Sequence, residues 1–188
     1  SLIGINELGF QRSRAALSGI TQSAHARVAL NLLMQQVLSA ETGSRGFLLT
    51  GEARYLKPYD QSLAAIGQTM DELRDIYQDD PVSRAALSEL DQEVQRKLAE
   101  MALSVRLRQE GKDDAWKFVV MSDIGMEHMD AIRRSVNALV TTASDRMEAS
   151  GEQVQRSLLL ARLGIAAVAI VALLSFYLYQ RQTRALNA

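Results

Sequence analysis

Apolar residues recur every three or four positions through four long stretches of this chain, and this spacing constrains the fold more than any other feature. It is typical of amphipathic α-helices, each of which must pack its apolar face against another element. Four such helices with short connections predict an all-α fold, an antiparallel four-helix bundle with long first and last helices. The predicted apolar stripes are Leu17, Ile20, Ala24, Val28 and Leu32, widened by Leu30, Leu33, Val37 and Leu38, in the first helix; Tyr55, Tyr59, Leu63, Ile66, Met70, Leu73 and Tyr77 in the second; Leu87, Leu90, Val94, Leu98, Met101 and Val105 in the third; and Met129, Ile132, Val136, Leu139, Ala143 and Met147 in the fourth.

Glycine, proline and aspartate mark the predicted helix ends. Gly51 and Gly111 can take the left-handed conformation that closes a helix, so they are predicted to end the first and third helices. Asp80 followed by Pro81 suits an N-cap and a first helical position, and Asp113 is predicted to cap the segment after Gly111.

Two further boundaries are predicted with less detail. Pro58 either lies in the first turn of the second helix or bends that helix, because an interior proline removes a backbone hydrogen bond. Ser122, Asp123 and Gly125 predict a break before the last long helix.

Composition excludes several classes of function. The chain has 188 residues and no Cys, so it holds no disulfide or thiolate–metal framework. All acidic residues precede position 153, which makes the body mildly acidic and disfavours a nucleic-acid surface. His25 and His128 fit no zinc pattern, and no nucleotide-binding loop or nucleophile motif is present. We therefore expect no enzyme, no cofactor and no metal in these residues.

Residues 158–179 are predicted to form a membrane-spanning helix. Residues 163–179 are uncharged and mostly apolar, and residues 158–161 extend the run across Arg162. A helix of this length reaches ~33 Å, enough to cross a hydrocarbon core of ~30 Å. The alternative is a buried core helix. The predicted membrane-interface residues are Arg162, Tyr177, Tyr179 and Arg181.

The expected organisation follows from this span. Residues 1–8 are expected to be the outer end of a truncated first membrane helix, and residues 9–157 a sensor bundle. Residues 180–188 are expected to begin a cytoplasmic linker. Because the chain begins without Met and stops shortly after the span, we expect a segment of a longer receptor.

Two segments resemble a known family. Residues 40–59, AETGSRGFLLTGEARYLKPY, lie at the first predicted hairpin, and residues 105–133, VRLRQEGKDDAWKFVVMSDIGMEHMDAIR, follow the third helix. Together they resemble the third class of CHASE domains, bacterial extracellular sensor modules of histidine kinases, nucleotide cyclases and chemotaxis-type receptors. The resemblance implies a non-enzymatic sensor anchored in the bacterial inner membrane, with residues 9–157 in the periplasm. It also implies a parallel homodimer that responds to an unknown ligand or partner protein.

The first hairpin supplies the candidate functional residues. Glu41 and Arg45 are four apart in the favourable order for a helical ion pair. With Thr42, Gly43 and Gly46 they are interpreted either as a ligand pocket or switchable contact, or as a purely structural hairpin in which the glycines allow close helix approach. The full set given these structural or sensing roles is Glu41, Thr42, Gly43, Arg45, Gly46, Leu49, Gly51, Tyr55 and Tyr59.

Aromatic residues are interpreted as packing residues. Tyr55, Tyr59 and Tyr77 lie on one stripe at helical spacing, which favours core packing over a ligand cage. Trp116 is predicted to anchor the short segment after Gly111.

Two functional hypotheses remain from the sequence. In the first, a stimulus changes the bundle, and a continuous helix from about residue 126 to residue 180 carries the movement through the membrane. Small residues in the span, such as Gly164 and Ala167, would let the membrane helices of a dimer approach closely. In the second, the chain is a membrane-anchored structural or assembly protein that binds partner helices.

Overall fold

The computed structural model describes the backbone of residues 2–122 and 124–186, and side chains at 17–122, 124–152, 155–156, 159–160, 162–166, 168, 170 and 175. The helices are α1, Leu2–Thr50; α2, Leu56–Ile76; α3, Pro81–Gln109; α4, Asp113–Met121; and α5, Ile124–Leu186, with a short 3-10 helix at Ala53–Tyr55. The described backbone contains no strand, so the predicted all-α class is confirmed.

The chain forms two compact units. One consists of Ser1–Ile20 and Met147–Ala188, and the other is Thr21–Arg146. Within the first unit α1 and α5 approach each other, because a Cβ built on Gly19 would lie 3.6 Å from Ser150 Oγ.

The predicted membrane span falls mostly outside the described side chains. These omit residues 158, 161, 167, 169, 171–174 and 176–179, and with them Tyr177 and Tyr179; Arg181 lies outside them as well. Among the side chains that are described, no helix has a stretch long and apolar enough to cross a membrane. The span and its interface residues stay predictions.

The unit Thr21–Arg146 is built around one hydrophobic core to which four helices contribute. Fully buried side chains include Leu33 of α1, Leu73 of α2, Leu90 of α3 and Ile132 of α5. Because each helix buries only one stripe, the core requires all four. The larger side chains of this core are Leu30, Leu33, Val37, Phe47, Tyr59, Ile66, Met70, Leu73, Tyr77, Leu87, Leu90, Val94, Met101, Val105, Met129, Ile132, Val136 and Leu139.

Neighbouring helices run in opposite directions. Gln22 Nε2 donates to the carbonyl of Ile76 at the end of α2, whereas Gly46, further along α1, lies against Tyr55 just before α2 begins. Between α3 and α5, the residue number falls along α3 as it rises along α5. The pairs are Lys97 with Gly125, Glu93 with His128, and Asp80 with Arg146. The contacts therefore have the antiparallel order that the bundle prediction requires.

Three predicted helix ends are confirmed. Gly51 and Gly111 have φ values of 73° and 70°, in the left-handed region that favours glycine. Asp80 is the N-cap of α3, where Oδ1 accepts from the Ser83 N–H at 3.3 Å and Pro81 follows as the first helical residue.

The prediction that Asp113 caps α4 is wrong. The N-cap is Lys112, whose side chain makes no capping hydrogen bond, and Asp113 is already helical. Its carboxylate instead accepts from Trp116 Nε1 at 3.0 Å and pairs with Arg108. Trp116 is only 7% exposed, as expected of an anchor.

The two remaining boundaries are resolved as well. Pro58 is the third residue of α2 and so lies in its first turn. α4 ends at Met121 and α5 begins at Ile124, so the predicted break is present; Asp123 itself lies outside the described residues.

The main stripe predicted for the first helix is wrong at Leu17, Val28 and Leu32, which are 57%, 65% and 41% exposed. Leu30 and Leu33, which were predicted to widen it, are fully buried. Residues two positions apart in a helix are separated by about 200° around its axis, so Val28 and Leu30 face nearly opposite sides. The helix is apolar on two faces, and the three-to-four spacing alone does not tell which faces the core. In the other helices the predicted stripes are buried, except that Tyr55, Leu63, Leu98 and Met147 are only partly buried.

Candidate functional site

A lysine is buried in the core of the Thr21–Arg146 unit. The Lys97 side chain is 3% exposed. It lies on α3 in the spacing Leu90, Val94, Lys97, Met101, whose other members are buried core residues. A lysine in this position needs partners, because an unpaired charge in the protein interior is strongly unfavourable.

Lys97 contacts one oxygen atom from each of three helices. Its Nζ donates hydrogen bonds to Glu100 Oε2 of α3 at 2.9 Å and to the Gly125 carbonyl oxygen in the first turn of α5 at 3.1 Å. It also forms an ion pair with Glu41 Oε1 of α1 at 3.0 Å. We call Lys97, Glu41, Glu100 and Gly125 the Lys97 cluster.

The carboxylates of this cluster are enclosed as well. The side chains of Glu41 and Glu100 are each 14% exposed. A Cβ on Gly125 would lie 2.6 Å from Glu100 Oε1, so only glycine leaves room for the carboxylate where it stands. Removing Lys97 from such a network leaves two largely enclosed carboxylates without their buried cation, which is strongly unfavourable.

A cavity of about 200 Å³ opens beside the Lys97 cluster. Its three serine hydroxyls donate to carbonyl groups of their own helices, Ser44 to Glu41, Ser104 to Glu100 and Ser122 to Val119. Those hydroxyls and the second carboxylate oxygens can therefore still accept hydrogen bonds. The lining residues are Glu41, Ser44, Arg45, Leu48, Lys97, Glu100, Met101, Ser104, Val120, Met121, Ser122, Gly125 and Met126.

The predicted Glu41–Arg45 ion pair is present but is not the main contact of Glu41. Arg45 Nη2 lies 3.2 Å from Glu41 Oε1, and the arginine side chain is 62% exposed. An exposed pair of this kind contributes a few tenths of a kcal/mol. The buried Lys97 holds the same carboxylate oxygen from the core side.

Four other predicted residues form a tight contact between α1 and the start of α2. A Cβ on Gly46 would lie 2.5 Å from the Tyr55 ring, and one on Gly43 would lie 3.1 Å from Tyr59 Cβ. Burial, followed by the nearby Asp60 charge, raises the pKa of Tyr59. The contact is a tightly packed hairpin between α1 and the start of α2.

Three predicted residues lie away from both groups. Thr42 is exposed and its hydroxyl donates to the Leu38 carbonyl at 2.8 Å. Leu49 is 78% exposed, and Gly51 closes α1. The hairpin residues are therefore divided among the cavity, the glycine–tyrosine contact and an outer face of α1.

Sequence reasoning missed Lys97, Glu100 and Gly125. The signal that could have found Lys97 is its spacing, since Leu90, Val94, Lys97 and Met101 step by four, three and four. The apolar stripe predicted from the sequence has Leu98 in place of Lys97, and Leu98 is only partly buried. The interior positions of Glu100 and Gly125 carry no such signal, because both depend on contacts between helices.

A second ionic contact holds α5 further along its length. Arg146 of α5 donates to Asp80 Oδ2 at the start of α3. This hydrogen bond, with further donors from Ser83, lowers the pKa of Asp80 to about 2. Unlike Lys97, the arginine is 46% exposed.

Within the described residues, no group of three or more His, Cys, Asp or Glu side chains is placed to hold a metal ion. The site combines buried charges with a small cavity on an all-helical scaffold, an arrangement suited to binding and to coupling helices.

Comparison with known proteins agrees with a binding role for this site. A model of the CHASE3 domain family matches residues 16–153, so the chain belongs to the CHASE3 domain family. CHASE3 domains are extracellular sensor modules of membrane receptors and are not catalytic. The predicted family and the sensor class are thereby confirmed.

One solved structure is similar. The sensor domain of the histidine kinase HK9 from Rhodopseudomonas palustris is 28% identical over 72% of this chain and 96% of that chain, with a TM-score of 0.43. No curated protein matches the chain.

Proposed function

We propose that this chain is the extracytoplasmic sensor module of a bacterial transmembrane signalling receptor, a histidine kinase or a similar protein. Residues 9–157 lie in the periplasm, residues 158–179 span the inner membrane, and residues 180–188 begin the cytoplasmic linker. The module transmits a stimulus by conformational change, and it works as a parallel homodimer. Membership of the CHASE3 family supports the sensor role.

The contact that carries the proposed mechanism is the one between Lys97 and the Gly125 carbonyl. Gly125 is the second residue of α5, which is a single helix from Ile124 to Leu186. A ligand or partner that binds beside the Lys97 cluster would change how α1 and α3 hold this first turn. Such a ligand shifts the module between two packings by its difference in affinity for them. The rigid helix would carry the movement to the predicted span.

Exposed apolar side chains on the second half of α5 support the membrane location. The large apolar side chains described there are 58–72% exposed. Water solvates such a run of side chains poorly, whereas the hydrocarbon of a membrane would cover it. Arg162, exposed among them, can extend its guanidinium to lipid headgroups. These side chains are Leu159, Leu160, Leu163, Ile165, Val168 and Ile170. The same run would anchor a structural protein, but family membership favours the sensor.

A helix-breaking insertion tests the transmission. Two glycines inserted after Gly151 in the full-length receptor should uncouple stimulus from output, because glycine weakens a helix interior. The control is Gly151→Ala, which should signal normally, since its Cβ would meet nothing within 4 Å. Normal signalling by the insertion variant would refute transmission through α5.

A further inference from the structure

One outward row of α1 carries residues spaced seven apart. Val28, Gln35, Thr42 and Leu49 are all exposed, Val28 by 65% and Leu49 by 78%. Leu32 and Leu38, beside the row, are 41% and 38% exposed. We call Val28, Gln35, Thr42 and Leu49 the α1 outer row. It lies on the side away from Leu30 and Leu33, so it does not contribute to the core.

The first half of the α1 outer row lies in an uncharged stretch. Residues 28–40 contain no Asp, Glu, Lys or Arg, although these make up 23% of the chain. The first charged side chain beside the row is Arg45, which is 62% exposed. On the neighbouring α2, the uncharged residues Pro58, Gln61 and Ala65 line a shallow groove next to Gln35 and Leu32. A water-facing helix normally carries charges on its outer side. This one therefore has the composition of an interface.

We propose that the α1 outer row is the surface on which two copies of this chain pair in parallel, a proposal that rests on the proposed receptor dimer and assigns its surface. Across a two-fold axis parallel to α1, each residue of the row meets its own copy. A charged row would face like charge, whereas a neutral row does not. Seven residues is also the repeat of a coiled coil, in which the side chains of one helix fit into holes between the side chains of the other. A polar residue within such a row, here Gln35, fixes the register of the two helices.

The size of the face is compatible with a dimer. The row from residue 28 to residue 49 is ~32 Å long, and α1 with the adjoining part of α2 is ~20 Å wide. A face on the order of 600 Å² per copy approaches the ~800 Å² per partner of a standard interface.

The absence of cysteine makes the proposal directly testable. Single variants Val28→Cys, Gln35→Cys, Thr42→Cys and Leu49→Cys would be oxidised in the full chain, in membranes of the cells that express it. We expect disulfide-linked homodimers at all four positions. The matched controls are Ala85→Cys, Gln92→Cys and Ala99→Cys, exposed residues of α3 with the same spacing, which should give at most a tenth as much dimer. Because every position is exposed, folding should be unaffected.

Several outcomes would overturn the proposal: no crosslink along the row, equal crosslinking on α3, or a crosslink to a protein of different mass. A charge variant adds a second measurement. Gln35→Glu should reduce dimer formation through Thr42→Cys about fivefold, because it places like charges at the axis. Gln92→Glu on α3 should leave it unchanged. Crosslinking needs no signalling, so failure of the dimer surface is distinguishable from failure of the receptor function.

Discussion

The unit Thr21–Arg146 holds α5 by ionic contacts at two places that differ in burial. At the first turn of α5, Lys97 is 3% exposed and its carboxylate partners are 14% exposed. At Arg146, the arginine is 46% exposed and its partner Asp80 is 20% exposed. Both contacts join α5 to α3, yet water screens only the second.

This difference implies unequal stiffness along α5. A buried, fully paired charge cannot be exchanged for water without a large desolvation cost, so the first turn has one strongly favoured position. The Arg146–Asp80 pair can open at low cost. In the proposed mechanism, a stimulus would displace the first turn only by replacing contacts of the Lys97 cluster, whereas the Arg146 end could adjust in response.

Removing the buried charge is the largest test of this comparison. Lys97→Met should lower the free energy of unfolding by about 3–5 kcal/mol, because it leaves the enclosed Glu100 without Lys97 and Glu41 with only the exposed Arg45. Urea denaturation of the chain would measure the loss. Arg45→Met is the matched control at the same glutamate and should cost a few tenths of a kcal/mol, since Arg45 is 62% exposed.

A triple variant separates pairing from packing. Lys97→Met combined with Glu41→Gln and Glu100→Gln removes all three charges and should recover part of the lost stability. A loss below about 1 kcal/mol for Lys97→Met alone would mean that the buried network does not dominate this end of α5.

The glycine–tyrosine contact tests whether charge alone stiffens this end of the unit. Gly46→Ala would place a Cβ 2.5 Å from the Tyr55 ring, and we expect a loss of about 1–3 kcal/mol from the forced shift. Gly67→Ala is the control, because its Cβ meets nothing within 4 Å in α2, and it should stabilise by up to about 1 kcal/mol. Thermal denaturation of both variants gives the comparison. If the two alanines behave alike, the close approach at Gly46 is not required.

The sequence predicted more of the helices than of the site. Helix ends depend on local chemistry, so Gly51, Gly111, Asp80 and Pro81 were assigned correctly. The buried face of α1 depends on which neighbours cover it. Because that helix is apolar on two sides, spacing alone did not separate the outer residues Val28 and Leu32 from the buried residues Leu30 and Leu33.

Only part of the candidate site was predictable from the sequence, for a related reason. Glu41 and Arg45 lie one turn apart on one helix, so their pair could be predicted from spacing. The stronger partner of Glu41, Lys97, is more than fifty residues away and reaches it only after α1 and α3 have packed. A lysine in an apolar stripe looks like an interruption until the carboxylates opposite it are known.

The exposed contact at the other end of α5 should respond to acid, by a smaller amount. The Arg146 hydrogen bond, with Ser83, lowers the pKa of Asp80 from 3.8 to about 2 in the folded chain. A carboxylate with a lowered folded pKa stabilises fully above its unfolded value and loses that contribution as pH falls towards the folded value. Between pH 3.8 and about 2, the wild-type chain should therefore lose about 1 kcal/mol that Asp80→Asn does not, after allowance for solvent screening. Asparagine keeps the N-cap of α3, so the difference between the two denaturation curves isolates the ion pair, whereas Asp80→Ala should lose about 1 kcal/mol more with the cap. Parallel pH dependence of the wild-type chain and Asp80→Asn would show that Arg146 does not hold α5 through this carboxylate.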